Sequence, residues 1–341
     1  MKILTPFDTV GEVKKLIDAG ADELYCGVND TFWRKKGVYS NARQMSYGNL
    51  SSFEELNKAL SIAKSRGVPV FLCANGYLTK GPYEHLVEDI NRAIDCGING
   101  VIVADITLVS LIKKKSDGCK VIMSCLNPCF SKKGIDFYRS LGVDRMIFTL
   151  NQLSLDELQD LSSCAHEMGL ETEIFINNIA CRNMPGNCLY NSIGIFNQTY
   201  KKNKNAAVSV VRSLIKSLPF GVKNRLSRSL FSSRLHPSPC RRESSIEVFS
   251  AVDKSTADSI NSYSPDKEFA QNFCRLCSIY LLNKLKITSG KIAGRGYPEG
   301  RKIKDTKFAK EYLKMIVNEQ VGGADYVSAG MRLYARVYGI S

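Results

Sequence analysis

The stretch Asp18-Ala19-Gly20-Ala21-Asp22-Glu23-Leu24-Tyr25 states a pattern that the first half of the chain repeats. A helical run closes on a glycine, two or three linking residues follow, and a short apolar strand begins. The same order returns in Cys96-Gly97-Ile98-Asn99-Gly100-Val101-Ile102 and in Leu141-Gly142-Val143-Asp144-Arg145-Met146-Ile147. Arg66-Gly67-Val68-Pro69-Val70-Phe71 and Met168-Gly169-Leu170-Glu171-Thr172-Glu173-Ile174 are variants of it. Glycine tolerates the left-handed conformation that ends a helix. A strand covered on both faces reads as a short unbroken apolar run.

Working outward, the pattern predicts strands near 2–6, 21–27, 68–74, 100–104, 120–125, 145–150 and 171–176, with an eighth near 287–294. Helices fill the intervals, for instance Tyr83 to Cys96 and Leu155 to Met168, and a long one near 299–319 closes the chain. Eight strands alternating with helices make the fold class α/β, a (β/α)8 TIM-like barrel. A doubly wound open sheet is the rival, but no glycine-rich nucleotide fingerprint follows the first strand. The expected organisation is a single barrel over 1–341 with an excursion over 178–285 inserted between strands 7 and 8.

That excursion runs to roughly a hundred residues where a barrel usually spends about thirty. Part of it, 201–242, holds eleven basic residues and no acidic one. Within it Ala207, Val208, Val211, Leu214, Ile215 and Leu218 share one helical face, with Arg212 and Lys216 elsewhere. Such a helix packs on the barrel with a solvated basic face, or meets a phosphate backbone or an anionic lipid surface.

Composition bounds the function. The 341 residues are 44% hydrophobic and 23% charged, which excludes a largely disordered chain. No apolar run is long enough for a membrane span, and Met1-Lys2-Ile3-Leu4-Thr5-Pro6 does not open a signal peptide, so a cytoplasmic setting is expected. Twelve cysteines without an export signal fit a reducing compartment, where clustered thiols bind metal more often than they pair. The net charge of +14 suits acidic partners. Zinc-peptidase and serine-hydrolase motifs are both missing, and there are only three histidines.

Cysteines are the main chemical signal. Cys181 and Cys188 follow the seventh predicted strand at the end where barrels build active sites. Cys240 stands in Pro239-Cys240-Arg241, and Cys274 and Cys277 form a C-x2-C pair before the last strand. Four thiolates around one centre suit zinc or an iron–sulfur cluster, and a set so poor in His and carboxylate suits the cluster at least as well. Cys26, Cys73, Cys96, Cys125 and Cys164 read instead as small buried thiols in strands and on helix faces.

These residues resemble the U-32 peptidase family, the collagenase-like proteins, across nearly the whole chain. The likeness is carried by Leu4-Thr5-Pro6 with Ala19 to Gly27, by Gly48-Asn49-Leu50-Ser51-Ser52-Phe53-Glu54-Glu55-Leu56, by Gly100 to Asp105 and by Ser124 to Asn127. The most specific matches are Cys181 to Cys188, Pro239-Cys240-Arg241, and Cys277-Ser278-Ile279-Tyr280 continuing to Lys291-Ile292-Ala293-Gly294-Arg295-Gly296. The resemblance implies a TIM-like barrel holding a 4Fe-4S cluster on Cys181, Cys188, Cys240 and Cys277, with Cys274 as the competitor for the last place. It implies oxygen-independent hydroxylation of tRNA, ribosomal RNA or a quinone precursor, in some members with prephenate as oxygen donor. It departs from the family at Asn151-Gln152, where Arg-Glu is common, at Asn177-Asn178, where His-Gly is common, and at His236, where a thiol is expected.

The expected site therefore combines several groups. Lys291 and Arg295 flank the end of the last strand and would bind an anionic oxygen donor by charge-assisted contacts. Asp105, Asn127 and Asn177 end three strands and would orient a substrate, or else cap a helix and satisfy loop backbone. RNA or an anionic, lipid-like substrate would meet segment 201–242. A metal-dependent peptidase, and an accessory subunit working with a second U-32-type chain, are the alternatives.

Overall fold

Eight parallel strands close into a barrel in a computed structural model of the chain, which describes residues 1–36, 38–42, 48–149, 153–177 and 278–339. They are β1 (Lys2–Pro6), β2 (Glu23–Cys26), β3 (Val70–Ala74), β4 (Gly100–Val103), β5 (Lys120–Met123), β6 (Arg145–Phe148), β7 (Glu171–Phe175) and β8 (Ser289–Lys291). Each lies inside or at the edge of a span that the repeated pattern marks out. β8 closes the ring by pairing with β1 through Leu4 opposite Lys291 and with β7 through Phe175 opposite Lys291. The barrel expected from the sequence is the fold of this chain.

Helices α1 (Val10–Asp18), α3 (Phe53–Ser65), α4 (Lys80–Asp95), α5 (Thr107–Lys115), α6 (Lys132–Ser140) and α7 (Leu155–Glu167) lie between the strands, with the short α2 (Thr31–Lys36) ahead of α3. α8 (Ile279–Lys284) leads into β8, and α9 (Glu299–Val317) follows it. A further helix, α10 (Tyr326–Tyr338), comes after α9, so the long helix does not close the chain as expected. The five glycines of the repeated pattern, Gly20, Gly67, Gly97, Gly142 and Gly169, all have positive φ, between 65° and 104°. That conformation is why glycine recurs where each helix must stop and turn toward its strand.

Two apolar layers result. Side chains between barrel and helices form the large core, with Ile3, Trp33, Leu72, Val101, Met123, Phe148, Ile174 and Phe308 among its members. The barrel interior is a smaller cluster of Leu4, Tyr25, Phe71, Cys73, Ile102, Ile122 and Ile147. The interior also holds charge. Arg145, fully buried, gives two bonds to Glu23 at 2.8 Å and lies 3.1 Å from Glu173 and 2.6 Å from Glu171.

Residues 178–277, with Cys181, Cys188, Cys240, Cys274, Cys277 and the basic segment, lie outside the described residues, as do Asn151 and Gln152. The chain leaves the described barrel at Asn177, past the C-terminal end of β7, and resumes at Ser278 ahead of α8. No described helix is long and apolar enough to cross a membrane.

Candidate active site at the barrel mouth

The C-terminal ends of the strands, where barrel enzymes keep their chemistry, carry a group of buried polar residues. After β8 the chain turns through Gly294 and Gly296, both at positive φ, and places Arg295 between them with 7% of its surface exposed. Its guanidinium donates one hydrogen bond, to Asn49 Oδ1 at 3.2 Å. No described carboxylate is within ion-pair distance of it. Asn49 Oδ1 also accepts from Asn41 Nδ2 at 3.0 Å, and Asn41 and Asn49 are both 1% exposed.

Two glycines make this convergence possible. A Cβ on Gly27 would stand 2.2 Å from Asn49 Oδ1 and 2.4 Å from an Arg295 guanidinium nitrogen. One on Gly48 (φ 96°) would stand 3.0 Å from Gly296 N. Beneath the same turn, Asp8 at the end of β1 accepts from Gly296 N at 2.6 Å and from the buried Lys302 of α9 at 2.8 Å. Lys302 also bonds Glu12 of α1 at 2.7 Å. This ion cluster anchors the backbone that presents Arg295. Because a charged group buried without a partner is costly, a guanidinium with one neutral bond among the described residues can accept an anion as its partner.

The other expected residues are placed as follows. Lys291 points into the barrel, bonded to Glu173 at 2.7 Å, with Tyr25 and Phe175 rings 4.4 and 5.4 Å from its nitrogen. Lys291 is 3% exposed, and its charge is matched by Glu173 within the barrel rather than shared with Arg295. Asn177 spends its amide on structure: it donates to Ala293 O at 3.0 Å and to Asp305 at 3.1 Å, and accepts from Ala293 N at 2.6 Å. Those bonds tie the end of β7 to the end of β8. Burial pushes the Asp305 carboxyl above its usual range, against the hydrogen bonds from Tyr338 and Asn177. Asn127 donates to Ala104 O at 3.0 Å and accepts from Tyr138 at 2.8 Å, joining β4 to β5. Asp105 accepts from the Thr107 amide at 2.9 Å and its hydroxyl at 2.7 Å, an Asx turn opening α5.

The sequence reading missed Asn41, Asn49, Asp8 and Lys302. Asn49 stands in the Gly48-Asn49-Leu50 stretch that carried the resemblance, which was a usable signal; nothing local marks the other three.

The seven described cysteines are Cys26, Cys73, Cys96, Cys119, Cys125, Cys129 and Cys164, and among the described residues none of them joins a cluster of three metal-ligating groups. Burial pushes the Cys26 thiol well above its ordinary range, and the Cys119 thiol up to about 11. Such thiols stay protonated and inert at neutral pH.

Comparison with known proteins relates the chain to one family. The family model described as peptidase family U32 matches residues 8–205. The chain is 21% identical over 188 residues to "tRNA hydroxylation protein P1" of Bacillus subtilis, covering 55% of this chain and 41% of that protein. It is 23% identical over 194 residues to "Uncharacterized protease MJ0090" of Methanocaldococcus jannaschii, covering 56% and 44%. It thus spans less than half the length of these curated relatives. The solved structure of the U32 peptidase Mk0906 aligns with TM-score 0.40 and 15% identity over 54% of this chain and 71% of that one. The family model spans more than half of the chain, and the chain belongs to peptidase family U32.

Proposed function

We propose that this chain is an iron–sulfur protein for oxygen-independent hydroxylation of an RNA base, with an anionic oxygen donor held at the barrel mouth by Arg295. The observation that carries the reading is Arg295: a nine-tenths-buried guanidinium with no described carboxylate partner, anchored through Asp8 and Lys302. A carboxylate-bearing donor such as prephenate would supply the missing counter-charge through a paired contact.

The donor chemistry fits a cluster. The described thiols are scattered and several are raised by burial, which leaves the five cysteines of 181–277, of which Cys181, Cys188, Cys240 and Cys277 are the proposed ligands. When bound, a 4Fe-4S cluster supplies one-electron chemistry that no side chain offers. The chain's own residues bind and orient: Arg295 and Asn49 fix the anion, and Asn177 and Asp8 hold the loops beside it. A relative named for tRNA hydroxylation and the net charge of +14 favour RNA over a quinone precursor, with segment 201–242 as the contact to phosphates.

Nucleoside mass spectrometry of RNA from cells lacking the protein tests this. One hydroxylated nucleoside is expected to disappear and to return with the wild-type gene. Arg295→Met, expressed at the same level, should restore less than about a tenth of it, the loss of a charged hydrogen-bond partner. An unchanged nucleoside profile contradicts the reading.

A further inference from the structure

Asp30, His85 and Asp89 come together past the C-terminal ends of β2 and β3, apart from Arg295 and its partners. Asp30 precedes α2 in the segment that follows β2, and His85 and Asp89 lie one turn apart on the facing side of α4. His85 Nε2 is 3.9 Å from Asp30 Oδ2 and 3.7 Å from Asp89 Oδ1, and the three atoms lie within 4.8 Å of one another. Those separations are too long for hydrogen bonds. They are near the span of donors around one ion, since ligands about 2.1 Å from a metal stand up to about 4.2 Å apart.

We propose that Asp30, His85 and Asp89 form a binding site for a first-row divalent metal ion. Two separate observations point to the ligand. His85 Nε2 is wholly buried and has no hydrogen-bond partner. Also, each ligand's other polar atom is held from outside the trio, so the remaining atom is aimed inward. Asp89 Oδ2 accepts from the buried Trp33 indole at 2.7 Å, Asp30 Oδ1 accepts from Phe32 N at 2.9 Å, and His85 Nδ1 meets Glu88 at 3.2 Å. Phe32 stacks on the imidazole at 3.7 Å and fixes its plane. Oriented outer partners of this kind accompany metal-ligating His and carboxylate groups.

Burial pushes the Asp89 carboxyl up to about 6, against the Trp33 bond and the charges of His85 and Arg92, and Arg92 itself bonds Glu54 at 3.2 Å. The side chains of Asp30 and His85 remain 21% and 23% exposed, which leaves an ion a way in. One nitrogen and two carboxylates suit manganese or zinc, with water completing the sphere. The competing arrangement is an imidazolium between two carboxylates with no metal.

Manganese is the probe, because it has little affinity for the thiolates of 181–277. Loss of the free Mn2+ resonance spectrum is titrated against the full-length protein at pH 7.5, beside Asp30→Asn and His85→Gln. The expected result is one ion per chain, bound at least tenfold more weakly by either variant. Wild-type binding should weaken as the pH falls, because protons compete with the ion for the ligand atoms. Manganese should also raise the melting temperature of the wild type and leave that of folded His85→Gln unchanged. Binding that is absent, or equal in wild type and both folded variants, overturns the proposal in favour of the imidazolium. Because Arg295 plays no part, this outcome is independent of the hydroxylation reading.

Discussion

Arg145, at the start of β6, shows at the residue scale what a strand pattern conceals. The sequence marks Arg145-Met146-Ile147 as the entry of a buried strand, yet the arginine turns into the barrel and meets glutamates of β2 and β7. Burial opposes the charge on Glu23 and Glu171, but the arginine's charge and bonds outweigh it and hold both carboxyls below their usual range. Such lowered groups stabilise the fold above their unfolded pKa, near 4.3, and that stability is lost as pH falls through the native values. Arg145→Met, removing the buried partner that these carboxylates share, should cost about 3–5 kcal/mol at pH 7. Urea unfolding carried from pH 7 to well below pH 4 should show the wild type losing stability in the acid part of the range and the variant recovering part of its deficit. Equal slopes for the two would refute this account. Asp105, Asn127 and Asn177 were visible in the sequence as strand-end polar groups. The Asp105 bond to Thr107 is local and matches the helix-cap alternative; the bonds of Asn127 and Asn177 were not legible, because Tyr138, Asp305 and the Ala293 backbone reach them through the fold.

Among the elements, the glycine at each helix end was the most readable feature, since it answers a backbone demand that one residue type meets. Gly169 (φ 73°) has no atom within 4 Å of where its Cβ would be, so Gly169→Ala adds conformational strain with no clash. It should cost about 1–2 kcal/mol. Gly300, in the first turn of α9 with equally open surroundings, should respond with the opposite sign, Gly300→Ala gaining about 0.5–1 kcal/mol. Thermal or urea unfolding of the pair checks both, and two effects of the same sign would contradict the backbone argument. Helix α10 lies beyond the repeated helix–glycine–strand pattern, so that pattern does not mark it. It follows Gly322-Gly323 and buries Ala329, Gly330 and Leu333 while Met331 stays 64% exposed. Asn41 and Asn49 escaped for a related reason. They come from irregular segments whose approach to Arg295 depends on the missing side chains of Gly27 and Gly48.

At the scale of the whole molecule, β8 is remote in sequence from β7, yet it closes the barrel against both β7 and β1. The chain departs from the mouth at Asn177 and returns at Ser278, and the interval holds every cysteine that the described part does not use. A cluster there would tie a long excursion to the barrel mouth that carries Arg295, so metal binding and local folding should be coupled. The most direct test is anaerobic purification followed by iron, zinc and acid-labile sulfide analysis. The account predicts about four irons and four sulfides per chain. Both should be lost in Cys181→Ser, Cys188→Ser, Cys240→Ser and Cys277→Ser, and retained in Cys26→Ser and Cys164→Ser. Stoichiometric zinc without sulfide, or full iron in the first four variants, would contradict it.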